Sequence, residues 1–402
     1  MRSGRLTPTS VVFLVVFIDL MGFGIVIPLL PLYAEKFRPS PLEFGLLMSS
    51  YSAMQFVFAP LLGRLSDRVG RRPVLLVSLL GTAAGYLLFA FAGSLPVLFA
   101  SRLLDGATGG NIATAQAVIA DTTTGSDRVR GMGLIGMAFG LGFILGPAIG
   151  GFAVHLGPAA PGLFAAGLSL VAFFWALVRL PETRPVGTQA RPFEVLSLAS
   201  LARTARRPGI AALLVLSLVT ATAFASFEAT FAQYLSHRFG FGPSGVAGVF
   251  VAVGVTAALV QGGLLRRLVP LLGERRLVLS GILTLVLAFG LFLALGSVPL
   301  LFVAVVLVSL GTGLLTPSLL GLASRRTDPT EQGEVLGAFQ STAALGRILG
   351  PFWGENVYLR VGPAGPHGTG LVLELLAALL AAWALRGDDK IARAEAPGAS
   401  GA

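Results

Sequence analysis

The sequence predicts an all-α integral membrane protein, with twelve transmembrane helices arranged as two pseudo-symmetric six-helix bundles. Three observations carry that prediction: too little charge for a soluble chain, apolar runs of membrane-spanning length, and a repeat between the two halves. Of 402 residues, 54% are hydrophobic and 12% are charged, and the mean hydropathy is +0.83. A soluble domain carries about a quarter charged residues. Twelve crossings of about 20 residues each use about 240 residues, which leaves short loops and no room for a sizeable soluble domain.

The apolar runs, bounded by Gly, Pro and Arg, fall at 10–33, 43–65, 73–92, 95–120, 131–155, 159–179, 209–236, 244–268, 274–295, 298–323, 332–356 and 366–386. The longest interruption, 180–208, holds Arg179, Arg184, Arg191, Arg203, Arg206 and Arg207 at or near its edges. It separates a first bundle (1–179) from a second (209–386), and 387–402 reads as a disordered cytoplasmic tail. The first run is too long for a signal-peptide core and meets no small-residue cleavage site, so no cleavable signal is expected.

Orientation follows from the basic residues, which favour cytoplasmic loops. With both termini in the cytoplasm, the inside segments hold 23 of the 29 Lys and Arg and the outside loops hold four, Lys36, Arg38, Arg238 and Arg360. Arg102 and Arg347 fall within predicted helices. The net charge of +10 is thereby explained by topology, and no nucleic-acid partner is expected.

The halves repeat at an offset of 204. Residues 138–151 read AFGLGFILGPAIGG and 342–355 read TAALGRILGPFWGE, identical at seven of fourteen positions. The stretch GRLSDRVGRR at 63–72 returns in degraded form as GGLLRRLVPLLGERR at 262–276. A parallel six-helix repeat implies bundles related by an axis along the membrane normal, with the substrate site between them near the bilayer midplane. Enzymatic chemistry finds no support: there is no cysteine, and His155, His237 and His367 are not spaced as metal ligands.

Gly63-Arg-Leu-Ser-Asp67-Arg68-Val-Gly70-Arg71-Arg72 resembles the loop between the second and third helices of the major facilitator superfamily. Gly63 and Gly70 would allow tight turns, and Asp67 would pair with arginines or cap a neighbouring helix. The resemblance implies contacts made in one transport state and broken in another, against the plainer reading of Arg71 and Arg72 as topology anchors. Arg102-Leu-Leu-Asp105-Gly106 resembles the fourth-helix motif of the drug/proton antiporters. Gly142-Phe-Ile-Leu-Gly146-Pro147-Ala-Ile-Gly150-Gly151 resembles their fifth-helix motif. Glycines four apart line one helix face and permit close helix approach, which holds whether or not the motif specifies antiport. Phe17-Ile-Asp19 through Pro31, Ile119-Ala-Asp121 and Asp127 to Gly131 are similar to the tetracycline/proton antiporter branch. Where that branch implies membrane acids in the third and ninth helices, this chain has Ala84-Gly85 and an uncharged ninth span, so the resemblance reaches the drug-exporter family rather than tetracycline in particular.

Charges inside a membrane face a cavity or a partner. Asp19 lies at mid-membrane depth and Glu228 in the outer half of the seventh span, and both are assigned to proton coupling together with Arg102, Asp105 and Arg347. Arg102 and Asp105, three apart, are within reach of each other, as a coupling pair or a static one. Arg347 stands where the first half has Phe143, which calls for a partner, Glu228 or a substrate's negative group. Glu355 and Glu374 are placed at a solvated outer edge. Gln55, Asn111, Gln116, Gln233 and Gln340 are candidate cavity hydrogen-bonders or helix–helix glue. The expectation is a monomeric transporter in a bacterial inner membrane that exports a small amphipathic molecule in exchange for protons, with no cofactor. An uncoupled metabolite exporter or facilitator is the alternative, and a non-transporting receptor or scaffold a distant one.

Overall fold

The computed structural model describes residues 7–109, 111–123, 125–183, 204–207, 209–327 and 332–385, which are helical apart from short turns. The spanning helices are α1 (Pro8–Val26), α2 (Pro41–Val69), α3 (Arg71–Ala90), α4 (Leu95–Thr108, continued by Asn111–Thr122), α5 (Gly125–Ala153), α6 (Ala160–Arg179), α7 (Ile210–Phe239), α8 (Pro243–Leu259), α9 (Leu265–Leu293), α10 (Val298–Arg325), α11 (Gln332–Val361) and α12 (Gly365–Ala384). Eight of them, α1, α2, α3, α6, α7, α9, α10 and α12, are by length and composition alone long and apolar enough to cross a membrane. Most of the predicted linker 180–208 and the tail 387–402 lie outside the described residues.

Local sequence sets the helix ends. The Thr7 side chain accepts from the Ser10 amide, and Ser40 with Glu43 closes a capping box, each followed by a proline in the first turn; such caps satisfy amides that the helix leaves free. The first predicted span is broken: α1 stops at Val26 and a short helix, Leu30–Ala34, resumes after Pro28, whose ring nitrogen offers no hydrogen to continue the ladder. The fourth is broken after Thr108, at Gly109. Gly63 does not make the expected turn; it lies inside α2, which runs on to Val69. The turn is made by Gly70 alone, at φ +102°.

Lipid is as apolar as a leucine side chain, so these helices associate through close contact rather than the hydrophobic effect. The repeated glycines supply it. A Cβ on Gly146 would lie 2.7 Å from the Gly24 backbone, and one on Gly350 2.7 Å from the Thr222 carbonyl. Thus α5 seats on α1 and α11 seats on α7, in the same register of each half. Between halves, α5 packs on α8 and α2 on α11.

The two ends of the molecule differ. At the end away from Gly70 the halves touch: Gly45 approaches Phe352 and Asn356, Gly151 approaches Ala247, and the Ser49 hydroxyl donates to the Ile348 carbonyl at 2.7 Å. At the Gly70 end, Leu61, Leu65 and Val69 of α2 are exposed, and a Cβ on Gly63 would meet nothing within 4 Å. Among the described residues, these contacts between the bundles lie at the end away from Gly70, the closed end, and these α2 positions at the other, parted end make none.

Candidate functional site

A layer of charge crosses the middle of the first half. Its apolar core falls into two clusters, one around Val11–Leu20 with Leu75, Val118 and Ala172, the other around Ile25–Ala34 with Phe44, Tyr86 and Phe89. Asp19, 8% exposed, lies on α1 toward the second-cluster end of the first cluster. Arg102 and Asp105 on α4 form the expected pair, Nη1 to Oδ2 at 2.9 Å, with 1% and 2% of their side chains exposed. The Arg102 guanidinium sits 6.0 Å from the ring centres of Tyr51, Tyr86 and Phe89, where aromatic faces offset part of the cost of burying the cation.

Tyr51 of α2 was not foreseen in the sequence, and it joins these groups. Its ring packs on Phe23 with centres 5.0 Å apart and planes tilted by 44°, its hydroxyl accepts from Gln55 Nε2 at 3.2 Å, and the same amide donates to the Gly109 carbonyl at 3.1 Å. The charges of Asp19, Asp105, Arg102 and Arg347 all act on it. Gly106 and Gly109 leave room for it, since a Cβ at either would fall within 3.0 Å of Tyr51. From the second half, Arg347 and Glu228 act on each other, and the Arg347 side chain is exposed. The structure therefore brings together Asp19, Gln55, Arg102 and Asp105 from one half with Glu228 and Arg347 from the other. An array of three carboxyls and two guanidiniums, buried at Asp19, Arg102 and Asp105, half-buried at Glu228 and exposed at Arg347, can hold or release protons as its solvation changes, and it can bind a polar group of a ligand.

Gln116 and Gln340 are exposed, Gln233 is buried with its Oε1 lacking a hydrogen-bond partner, and the Asn111 side chain lies outside the described residues. Glu355 and Glu374 are not at a solvated edge. Each is 0% exposed, because helix packing covers positions that a helix-end location alone makes look wet.

At the parted end, Arg71 is a hub rather than a surface anchor. Its guanidinium meets Asp67 at 2.8 Å, Asp121 at 2.9 Å and the Ser66 hydroxyl at 2.6 Å. Arg72 donates to the Leu177 carbonyl at 2.6 Å, and Arg68 is exposed. Asp67 is not the helix cap. Glu182, after α6, accepts from the Arg71 and Arg72 amides at 2.9 and 3.1 Å, placing a carboxylate at the positive start of α3. Nothing local marks that role, since the acid is 111 residues from the amide it caps. These contacts tie α2, α3, α4 and the end of α6 into one cluster. Gly142, Gly146 and Gly150 seat α5 against α1, and Gly151 faces α8; Pro147 lies inside α5.

Comparisons with known proteins agree with this geometry. The family model described as Major Facilitator Superfamily matches residues 12–351 and 268–400. The class B tetracycline resistance protein of Escherichia coli is 34% identical over 362 residues, covering 87% of this chain and 88% of that one. Human major facilitator superfamily domain-containing protein 10 is 32% identical over 408 residues, covering 88% of each. The crystal structure of the human organic anion transporter MFSD10 (TETRAN) superposes with a TM-score of 0.72 at 29% identity, over 94% of this chain and 100% of that one. These relatives are multi-pass membrane transporters of small molecules, not enzymes. With its paired six-helix halves and its match over most of the sequence, this chain belongs to the Major Facilitator Superfamily.

Proposed function

We propose that this transporter exports a small amphipathic, drug-like molecule in exchange for protons by alternating access, in the inner membrane of a bacterium with both termini in the cytoplasm. The observation that carries the reading is the charged array of Asp19, Arg102, Asp105, Glu228 and Arg347, drawn from both halves and lying between a closed end and a parted one. Opening one end or the other changes the water around these groups, and a carboxyl that loses water favours its proton. Tetracycline resistance proteins of classes B, E, D, G and C, at 31–38% identity, support a drug-like substrate class. The charge asymmetry of 23 basic residues to four supports the orientation, in which the parted end faces the cytoplasm.

Proton release on adding substrate to the purified protein in detergent tests the coupling. Asp19→Asn should abolish release while leaving substrate binding, and Glu228→Gln should shift its pH dependence through the remaining acids. Release unchanged in both variants would eliminate the mechanism. Orientation is tested on the cysteine-free chain: Pro39→Cys should react with an impermeant thiol reagent from outside and Arg206→Cys only from the cytoplasm. A second reading, carriage of an organic anion without proton exchange, draws on the exposed Arg347 and the likeness to the human organic anion transporter. It expects flux of an anionic substrate with no proton release.

A further inference from the structure

The closed end contains a titratable cluster that the transport cycle above does not use. It spans the seam between the halves. Glu35, in the short turn of helix Glu35–Phe37, belongs to the first half. His237 of α7 and Tyr358 of α11 belong to the second. His237 Nε2 lies 3.8 Å from Glu35 Oε1, and its Nδ1 is 2.8 Å from the Tyr358 hydroxyl. One turn earlier on α11, Glu355 is 0% exposed, and neither carboxyl oxygen has a hydrogen-bond partner. The charge of Glu35 acts on both Glu355 and Tyr358.

The repeat shows why Glu355 is buried there. Its counterpart in the first half is Gly151, which faces Ala247 of α8 across the other seam between the halves. The α11 residues beside Glu355 face α2 across the matching seam, as Phe352 and Asn356 do toward Gly45. Closure therefore covers Glu355, and opening this end would uncover it.

Among the described residues no fixed cation is committed to the carboxyl. Lys36 lies over the Tyr33 ring at 4.6 Å, Arg238 of α7 donates to the Leu295 carbonyl at 3.0 Å, and Arg360 of α11 is exposed. On α2, Glu43 is engaged with the Ser40 cap. On α7, Tyr234 donates to the Phe292 carbonyl. On α12, His367 is enclosed by Phe227, Tyr234 and Phe292, and its ring nitrogens and the Glu374 oxygens are without hydrogen-bond partners. Two carboxyls thus share the seam with one imidazole, which is a cation only when protonated. Burial raises the Glu35 carboxyl above the usual carboxylate range, and the His237 charge lowers it again.

We propose that Glu355, with the Glu35–His237 pair across the seam, forms a proton-binding site that locks the closed end: a proton is bound when this end shuts and released to the same side when it opens. A proton that loads and unloads on one side does no coupling work, so the site senses acidity rather than driving transport. The sign follows from linkage, since the state that binds more protons gains population as pH falls. Acid favours closure. The inference does not rest on the substrate or on proton-coupled export.

The test is the distance between spin labels at Lys36→Cys and Ala364→Cys, both exposed positions, in the full-length cysteine-free chain. The ratio of short to long distances should rise as pH falls from about 8 to about 5, by at most about tenfold per pH unit for each proton taken up. Glu355→Gln, neutral at every pH, should favour the short distance throughout and lose at least half of that response. His237→Gln should shift the ratio toward the long distance in acid. An unresponsive wild type, or a response of the same size in Glu355→Gln, would overturn the proposal. Infrared spectra give an independent reading: the wild type should show a protonated-carboxyl band near neutral pH that Glu355→Gln lacks. Should that variant not fold, Glu355→Asp should move the band, and an unmoved band counts against the site.

Discussion

The two halves share one scaffold, and some of the positions at which they differ face each other or the parted end. Gly142, Gly146 and Gly150 recur as Gly346, Gly350 and Gly354 at the 204-residue offset, each set against the first helix of its own half. The turn at Gly70, φ +102°, recurs at Gly273, φ +73°. Against that constancy, Phe143 becomes Arg347 and Gly151 becomes Glu355. The salt bridge of Arg71 with Asp121 reappears with reversed polarity as Glu274 with Arg325 at 2.7 Å, and Arg325 stands 204 residues after Asp121. The repeat preserves backbone approach and turn geometry, while charge is free to change. Structure resides in what the halves share and function in what they do not.

The largest expected effect comes from breaking the shared part. Gly146→Ala and Gly350→Ala each put a Cβ 2.7 Å from backbone of the facing helix, which no side-chain rotation relieves. Each should destabilise the folded protein by about 1–3 kcal/mol, the usual range for overpacking, and the two should add. Gly63→Ala meets nothing within 4 Å and should be neutral or stabilising by up to about 1 kcal/mol, the helix-propensity gain. Thermal unfolding of the three variants in detergent checks this. A loss in only one of the two buried variants would show that the halves are not held by the same device.

This contrast also marks what the sequence makes legible. The glycine register, the twelve spans and the Arg102–Asp105 pair are local patterns, with spacings of 3 or 4 residues or an exact repeat, and the chain alone shows them. Tyr51, Glu182 and the burial of Glu355 are not local. Tyr51 is placed by Gly106 and Gly109 about 55 residues away, and Glu182 by the start of α3. Glu355 looks exposed because the surface that covers it belongs to neighbouring helices. The Gly63 turn failed for the opposite reason: two glycines offered a break, and one at positive φ was enough.

A smaller effect should follow from the reversed polarity at the parted end. Arg71→Glu sets three carboxyls together with Asp67 and Asp121 and should impair both transport and stability. Adding Asp121→Arg restores an opposite-charge pair in the sense the second half uses and should recover part of the loss. The residual deficit measures Asp67, four residues from position 71 and still unfavourable there. Asp67→Asn should leave the protein folded but slow transport strongly if that charge also serves the closing of this end. Transport assays alongside unfolding separate the two roles. No recovery in the double variant would mean that the polarity of the first half is itself required.

The smallest effect concerns one hydrogen bond across the seam at the closed end. Ser49, 5% exposed, donates to the Ile348 carbonyl of α11, the residue after Arg347. That carbonyl lies within a continuous helix, so losing Ser49 does not strand it. The cost of Ser49→Ala is then the net value of the bond, about 1 kcal/mol, with no added penalty for an unsatisfied buried acceptor. An energy of that size shifts a two-state equilibrium about fivefold. The spin-label pair at Lys36 and Ala364 should therefore show the closed end less populated by about that factor, while thermal unfolding hardly moves because each half keeps its own glycine contacts. A complete loss of the closed population would show instead that this bond, rather than the approach of Gly45 to Phe352, holds α2 to α11, and that the seam depends on a single polar contact where its counterpart between α5 and α8 depends on packing.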